Sequence, residues 1–125
     1  MTKFTYNPKS ETIANSKDFD RYRREIENLP VTCDDGSIFD CDNDSIEDLQ
    51  RSIDYWNDRD KSELDWKLKD NRIIKMDRSG IQNYFNEIKR KKAIRSFRVF
   101  DEMQALKLNP NTTLRDLENW KTQHQ

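Results

Sequence analysis

Val31-Thr-Cys-Asp-Asp-Gly-Ser-Ile-Phe-Asp40 and Leu64-Asp-Trp-Lys-Leu-Lys-Asp-Asn-Arg-Ile-Ile-Lys-Met76 decide the fold of this chain. Each sets turn formers, Asp35-Gly36 in the first and Asp70-Asn71 in the second, between runs that suit a pleated strand. That arrangement reads as a β-hairpin. Gly36 and Asn71 tolerate the positive φ that tight hairpin turns require, and Phe39 and Trp66 are the side chains expected to anchor the hairpins on helices.

Around the hairpins the periodicity is helical. Asn15 or Ser16 caps a helix running to Glu27, with Phe19, Tyr22, Arg23 and Ile26 on one face, and Pro30 closes it. Between the hairpins, Asp44 or Ser45 caps a second helix ending near Asn57, with a stripe of Ile46, Leu49, Ile53 and Trp56. Glu47 and Asp48 favour its N-terminal dipole. From Ser79 a long helix begins with Ile81, Tyr84, Phe85 and Ile88 and resumes with Ile94, Phe97, Val99, Phe100, Met103 and Leu106. These two sets do not share one narrow stripe, so the helix is expected to bury one face in its own domain and another elsewhere, as against a partner helix. Asn109-Pro110-Asn111 ends it, and Thr112 or Thr113 caps a short final helix with Leu114, Leu117 and Trp120 on one face. The fold class is therefore α+β: two short hairpins with flanking helices, one long C-terminal helix and a short final helix. Residues 1–14, polar and without a sustained period, read as an N-terminal arm. Residues 15–125 read as a single small α+β domain.

Only 33% of the residues are hydrophobic and 38% are charged, which implies a thin core and a large polar surface. With 23 basic and 24 acidic residues no global field marks a nucleic-acid or membrane binder. The distribution is uneven. Residues 33–48 hold Asp34, Asp35, Asp40, Asp42, Asp44, Glu47 and Asp48 and no base, whereas residues 89–98 hold Lys89, Arg90, Lys91, Lys92, Arg95 and Arg98 and no acid. Opposite patches favour head-to-tail or intramolecular pairing; the plainer alternative is two solvated faces. The N-terminus lacks the apolar region of a signal peptide, and no run approaches the roughly 20 apolar residues that span a bilayer. A soluble chain made in a cytoplasm is expected.

Motifs for chemistry are sparse. Asp40-x-Asp42-x-Asp44 resembles the start of a calcium loop, but the sixth position is Ser45 instead of Gly and the twelfth is Arg51 instead of Glu. Cys33 and Cys41 flank the first hairpin and read as reduced, half-buried thiols, and the single histidine, His124, lies in the C-terminal tail, so zinc and Cys–His catalysis both lack ligands. No catalytic, cofactor-binding or metal residue is singled out, and no enzyme is expected. The basic run with Phe97 and Phe100 is the one argument for nucleic acid, through phosphate neutralisation and base stacking. Lys89 and Lys92 would extend into a continuous basic face only with a base at position 96, which is Ser96.

The order Glu25-Ile26, Pro30, Asp35-Gly36, Phe39-Asp40-x-Asp42, Asp44-Ser45, a helix, Trp66, Asp70-Asn71 and Arg72-Ile-Ile-Lys-Met76 resembles a bacteriophage tail-associated domain of unknown function. In that family a "DG..FD.D..S" block precedes a "W...DN..v.l" block and a long helix, often toward the C-terminal end of tail fibre or tail fibre assembly proteins. The match runs from about Tyr22 to Trp120, and Ala105-Leu-Lys-Leu-x-x-x-Thr-Thr-Leu-x-Asp-Leu117 looks like the family's ending. The chain departs from the pattern in carrying Lys and Arg where many members have Ala along the long helix, and no fibre region precedes the match, so a fibre shaft is not expected. What the resemblance implies is a non-enzymatic virion protein of the tail, a structural or adaptor component made in the host cytoplasm. Its partners would be other tail proteins or copies of itself. A tail fibre assembly factor absent from the finished particle is the alternative, followed by a nucleic-acid-binding phage factor.

Overall fold

The computed structural model describes residues 11–124. The chain is α+β, with two two-stranded antiparallel sheets and four α-helices among those residues. The described residues divide into two compact units, one formed by Asn28–Ser96 and the other by residues 11–27 and 97–124.

In the Asn28–Ser96 unit, β1 (Val31–Thr32) pairs with β2 (Ile38–Phe39), Val31 opposite Phe39, and β3 (Leu64–Lys67) pairs with β4 (Ile73–Met76), Trp66 opposite Ile74. The turns are built alike. Cys33 N–H bonds Ser37 O (2.8 Å) and Gly36 N–H bonds Cys33 O (2.9 Å); Leu68 N–H bonds Arg72 O (2.8 Å) and Asn71 N–H bonds Leu68 O (3.0 Å). Both are three-residue loops whose last residue is left-handed, Gly36 at φ +88° and Asn71 at φ +71°, a region closed to most side chains. Lys69 N–H bonds Ile38 O (2.8 Å), joining one hairpin to the other. Isolated two-stranded hairpins are marginal in water. Here both lie on one apolar cluster, in which Val31, Cys33, Phe39 and Cys41 of the first hairpin meet Leu68 and Met76 of the second. Leu49 and Trp56, and Ile81, Phe85 and Ile88 of the long helix α3 (Arg78–Leu108), complete it. Phe39 is buried against the Tyr84 ring, centroids 5.0 Å apart, and Trp66 packs half-buried on the cluster, as the anchor reading expects.

Helix α2 spans Asn43–Asp54 and differs from expectation at both ends. Its cap is Asp42, whose Oδ1 accepts from Ser45 N–H (2.8 Å); Asp44 and Ser45 already lie in the first turn. Ser, Asp and Asn all cap well, so a run of them leaves the start to whichever carboxylate meets a free N–H. At the far end Trp56–Asp58 tightens into a 3-10 turn, and that turn seats Trp56 in the core. Both thiols are fully buried, not half-buried, because positions 33 and 41 lie on the inward side with Val31 and Phe39.

In the other unit α1 (Ser16–Glu27) and α4 (Leu114–Thr122) pack together. Each begins with a reciprocal cap: Asn15 Oδ1 accepts from Asp18 N–H while Asn15 N–H donates to Asp18, and Thr113 exchanges the same two bonds with Asp116. Phe19, Tyr22 and Ile26 of α1 are buried, as are Leu117 and Trp120 of α4 and Val99 and Met103 of α3. Tyr22 donates to Glu118, and Lys121 Nζ lies 2.8 Å from Glu25. Of the expected N-terminal arm, residues 1–10 lie outside the described residues. Residues 12–14 are tied to the α3–α4 connection by Ala14 N–H to Thr112 O (2.8 Å) and Leu114 N–H to Thr12 O (3.0 Å), with Ile13 bridging Thr113. His124 is packed against Trp120 (centroids 4.6 Å) and is not part of a frayed tail. Arg98 lies 2.7 Å from its Nδ1, and its Nε2 lies 3.1 Å from Glu102.

Candidate functional site

The basic run of α3 is engaged by the protein itself. Lys91 Nζ donates to Asp34 (2.8 Å) and to Thr32 O (2.9 Å) and lies 3.2 Å from Glu87 one turn back, while Glu87 accepts from Asp34 N–H (2.7 Å). Lys92 donates to Cys41 O, and Arg95 donates to Leu29 O (2.7 Å) and Pro30 O (2.9 Å). Lys89 sits over the Phe85 ring at 4.4 Å. The acidic and basic stretches therefore meet within the chain, chiefly through Lys91 and Asp34, and Lys92 and Arg95 bond carbonyls just outside β1 and β2.

Ile81, Phe85, Ile88, Lys92, Arg95, Val99, Met103 and Leu106 recur at alternating steps of three and four. At about 3.6 residues per turn that spacing is one side of a helix. Ile81, Phe85 and Ile88 before the basic run thus share a stripe with Val99, Met103 and Leu106 after it; its middle is occupied by Lys92 and Arg95, whose heads bond carbonyls. What obscured the stripe is a second apolar set on the opposite side. Ile94 is 58% exposed, Phe97 72% and Phe100 55%. Ala93 and Gln104 beside them are exposed as well. Large apolar side chains thus gather on one exposed face of the helix. Spacing alone could have found it, by separating the Ile94–Phe97–Phe100 set from the Val99–Met103–Leu106 set.

The residues weighed for chemistry have structural roles. Asp40 pairs with Lys69 (3.4 Å) and Asp42 caps α2, so the calcium-like carboxylates are divided between a salt bridge and a cap. Among the described residues no cluster of three or more His, Cys, Asp or Glu is arranged to hold a metal. Burial pushes the Cys33 thiol up to about 12, with Glu87 adding to it, and burial also raises Cys41; neither is a thiolate at neutral pH. The surface depressions are polar: one of about 520 Å³ is walled by Arg59, Asp60, Lys61, Glu63, Asp65 and Lys75. No helix of the described residues is long and apolar enough to cross a membrane.

Three carboxylates tie the first hairpin and α2 in place, and each is held below the usual carboxylate range. The Lys91 ammonium does this for Asp34, the Tyr84 hydroxyl and then Ser37 N–H for Asp35, and Ser45 N–H for Asp42. A depressed folded-state pKa adds stability that is complete above the unfolded value of about 3.9 and is lost as pH falls through the folded value. The melting temperature is therefore expected to be flat from neutral pH to about pH 5 and to fall below about pH 4, and Asp35→Asn is expected to shrink that fall. Thermal melts followed by circular dichroism check this; a melting temperature that rises on acidification would contradict it.

No family model, curated protein or solved structure matches the chain.

Proposed function

We propose that this chain is a non-enzymatic bacteriophage tail protein, a structural or adaptor component that acts through protein–protein contacts and resides in the virion after synthesis in the host cytoplasm. Two independent lines support this. The ordered "DG..FD.D" and "W...DN" blocks carry the resemblance to the tail-associated domain, and their residues have the structural roles such a scaffold needs: Gly36 and Asn71 turn the hairpins, Phe39 and Trp66 seat them, and Asp42 caps α2. The observation that carries the contact function is the exposed Ile94, Phe97 and Phe100 face of α3. A protein–protein role is favoured over nucleic acid because Lys89, Lys91, Lys92 and Arg95 are already engaged by the chain's own ring, carboxylates and carbonyls.

Mass spectrometry of purified particles of the encoding phage tests the placement. The chain is expected in finished tails at a fixed ratio to other tail proteins. Its absence from particles, with recovery on tail proteins during assembly, would replace the structural component by an assembly factor.

A further inference from the structure

The exposed face of α3 carries its own charges. Arg90 lies one turn before Ile94 and Asp101 one turn beyond Phe97, on the same side of the helix. Both are exposed, and neither forms an ion pair among the described residues.

We propose that this face pairs with the same face of a second copy of the chain, α3 against α3, antiparallel about a two-fold axis passing at Phe97. The inference names the partner of the contact surface proposed above and rests on that reading of the surface, though not on its placement in a tail. With Phe97 at the axis, the two Phe97 rings meet and Ile94 of each copy faces Phe100 of the other. Arg90 of each copy then stands opposite Gln104 of the other and about 4.5 Å along the axis from Asp101, within reach of a guanidinium. The two-fold repeats that pair on the other flank. A parallel pairing in register would set Arg90 on Arg90 and Asp101 on Asp101, so the charges select the antiparallel arrangement and reject the parallel one.

The face is small. Positions 90 to 104 extend about 21 Å along the helix, and a fully buried aromatic contributes about 150–250 Å², so the apolar centre falls short of the roughly 800 Å² per partner of a standard interface. The structure thus points to a weak dimer, populated where copies are held at high local concentration.

Sedimentation of the full chain from about 1 to about 300 μM tests it. The mass is expected to move from one chain to two across that range. Phe97→Asp is expected to weaken pairing at least about 100-fold with an unchanged circular dichroism melt, because the ring contributes nothing to the core. Arg90→Glu is expected to weaken pairing about tenfold, and the exchange of both signs, Arg90→Glu with Asp101→Arg, to restore it to within about threefold. A single-chain mass throughout, a dimer indifferent to Phe97→Asp, or a double exchange that fails to restore pairing would each overturn the proposal. A single-chain mass would leave the face for a different tail protein. Particle mass spectrometry reads the tail placement separately, so either result can fail without the other.

Discussion

Phe39→Ala is expected to cost about 3–5 kcal/mol, measured as a fall in the urea midpoint. The ring is 1% exposed, faces Tyr84 and is surrounded by the apolar cluster of the hairpin unit. Its loss removes transfer energy and leaves a cavity that rigid neighbours on α2 and α3 can close only in part. For a chain with 33% hydrophobic residues this is a large share of the 5–15 kcal/mol that domains usually have. Ile73→Ala is the control. That side chain is 67% exposed in β4, and its loss is expected to stay within about 0.5 kcal/mol. Equal losses at the two positions would show that the hairpins are not held by this cluster.

Leu117→Ala is expected to cost about 2–5 kcal/mol in the unit that α1 and α4 build. Leu117 is fully buried, and α4 has only nine residues, too few to be helical without the face it packs. The reciprocal cap between Thr113 and Asp116 contributes about 1 kcal/mol, which sets where α4 starts but does not hold it against solvent. Amide hydrogen exchange over Leu114–Thr122 is the measurement: protection is expected to collapse in Leu117→Ala and to persist in Leu108→Ala, whose side chain is almost wholly in water. Protection that survives Leu117→Ala would refute the packing of α4.

Much of this fold is legible one element at a time. Asp35-Gly36 and Asp70-Asn71 announce their turns because a left-handed residue is needed at one place in each, and few residue types adopt it. Phe19, Tyr22 and Ile26 announce α1 by spacing. Asn15 and Thr113 announce their helices by the acid three residues on, whose side chain returns the bond. The start of α2 is less legible, since Asp42, Asp44 and Ser45 are all good caps and only the position of the free Ser45 N–H separates them. His124 reads as tail because Trp120, one turn back, does not by itself mark it as packed, and Arg98 and Glu102, which flank its ring nitrogens, are far away in sequence.

The exposed apolar face of α3 is harder to read. Val99 and Phe100 are adjacent in sequence, yet one is buried and the other is in water, and a list of apolar positions on α3 merges the two faces. Lys92 and Arg95 look like part of a solvated basic run because charged residues usually are. Here they stand in the buried row and answer carbonyls 51 to 66 positions away, at Cys41, Leu29 and Pro30.

By itself, then, the sequence determined the two hairpins, the helices and the α+β class, because turn geometry, capping and periodicity are settled among residues a few positions apart. Only the tertiary structure decided which apolar face of α3 the core takes and which stays exposed, and that the acidic and basic stretches meet inside the chain. Those outcomes depend on hydrogen bonds and packing between residues far apart in sequence, where local spacing carries no record of what a side chain will meet.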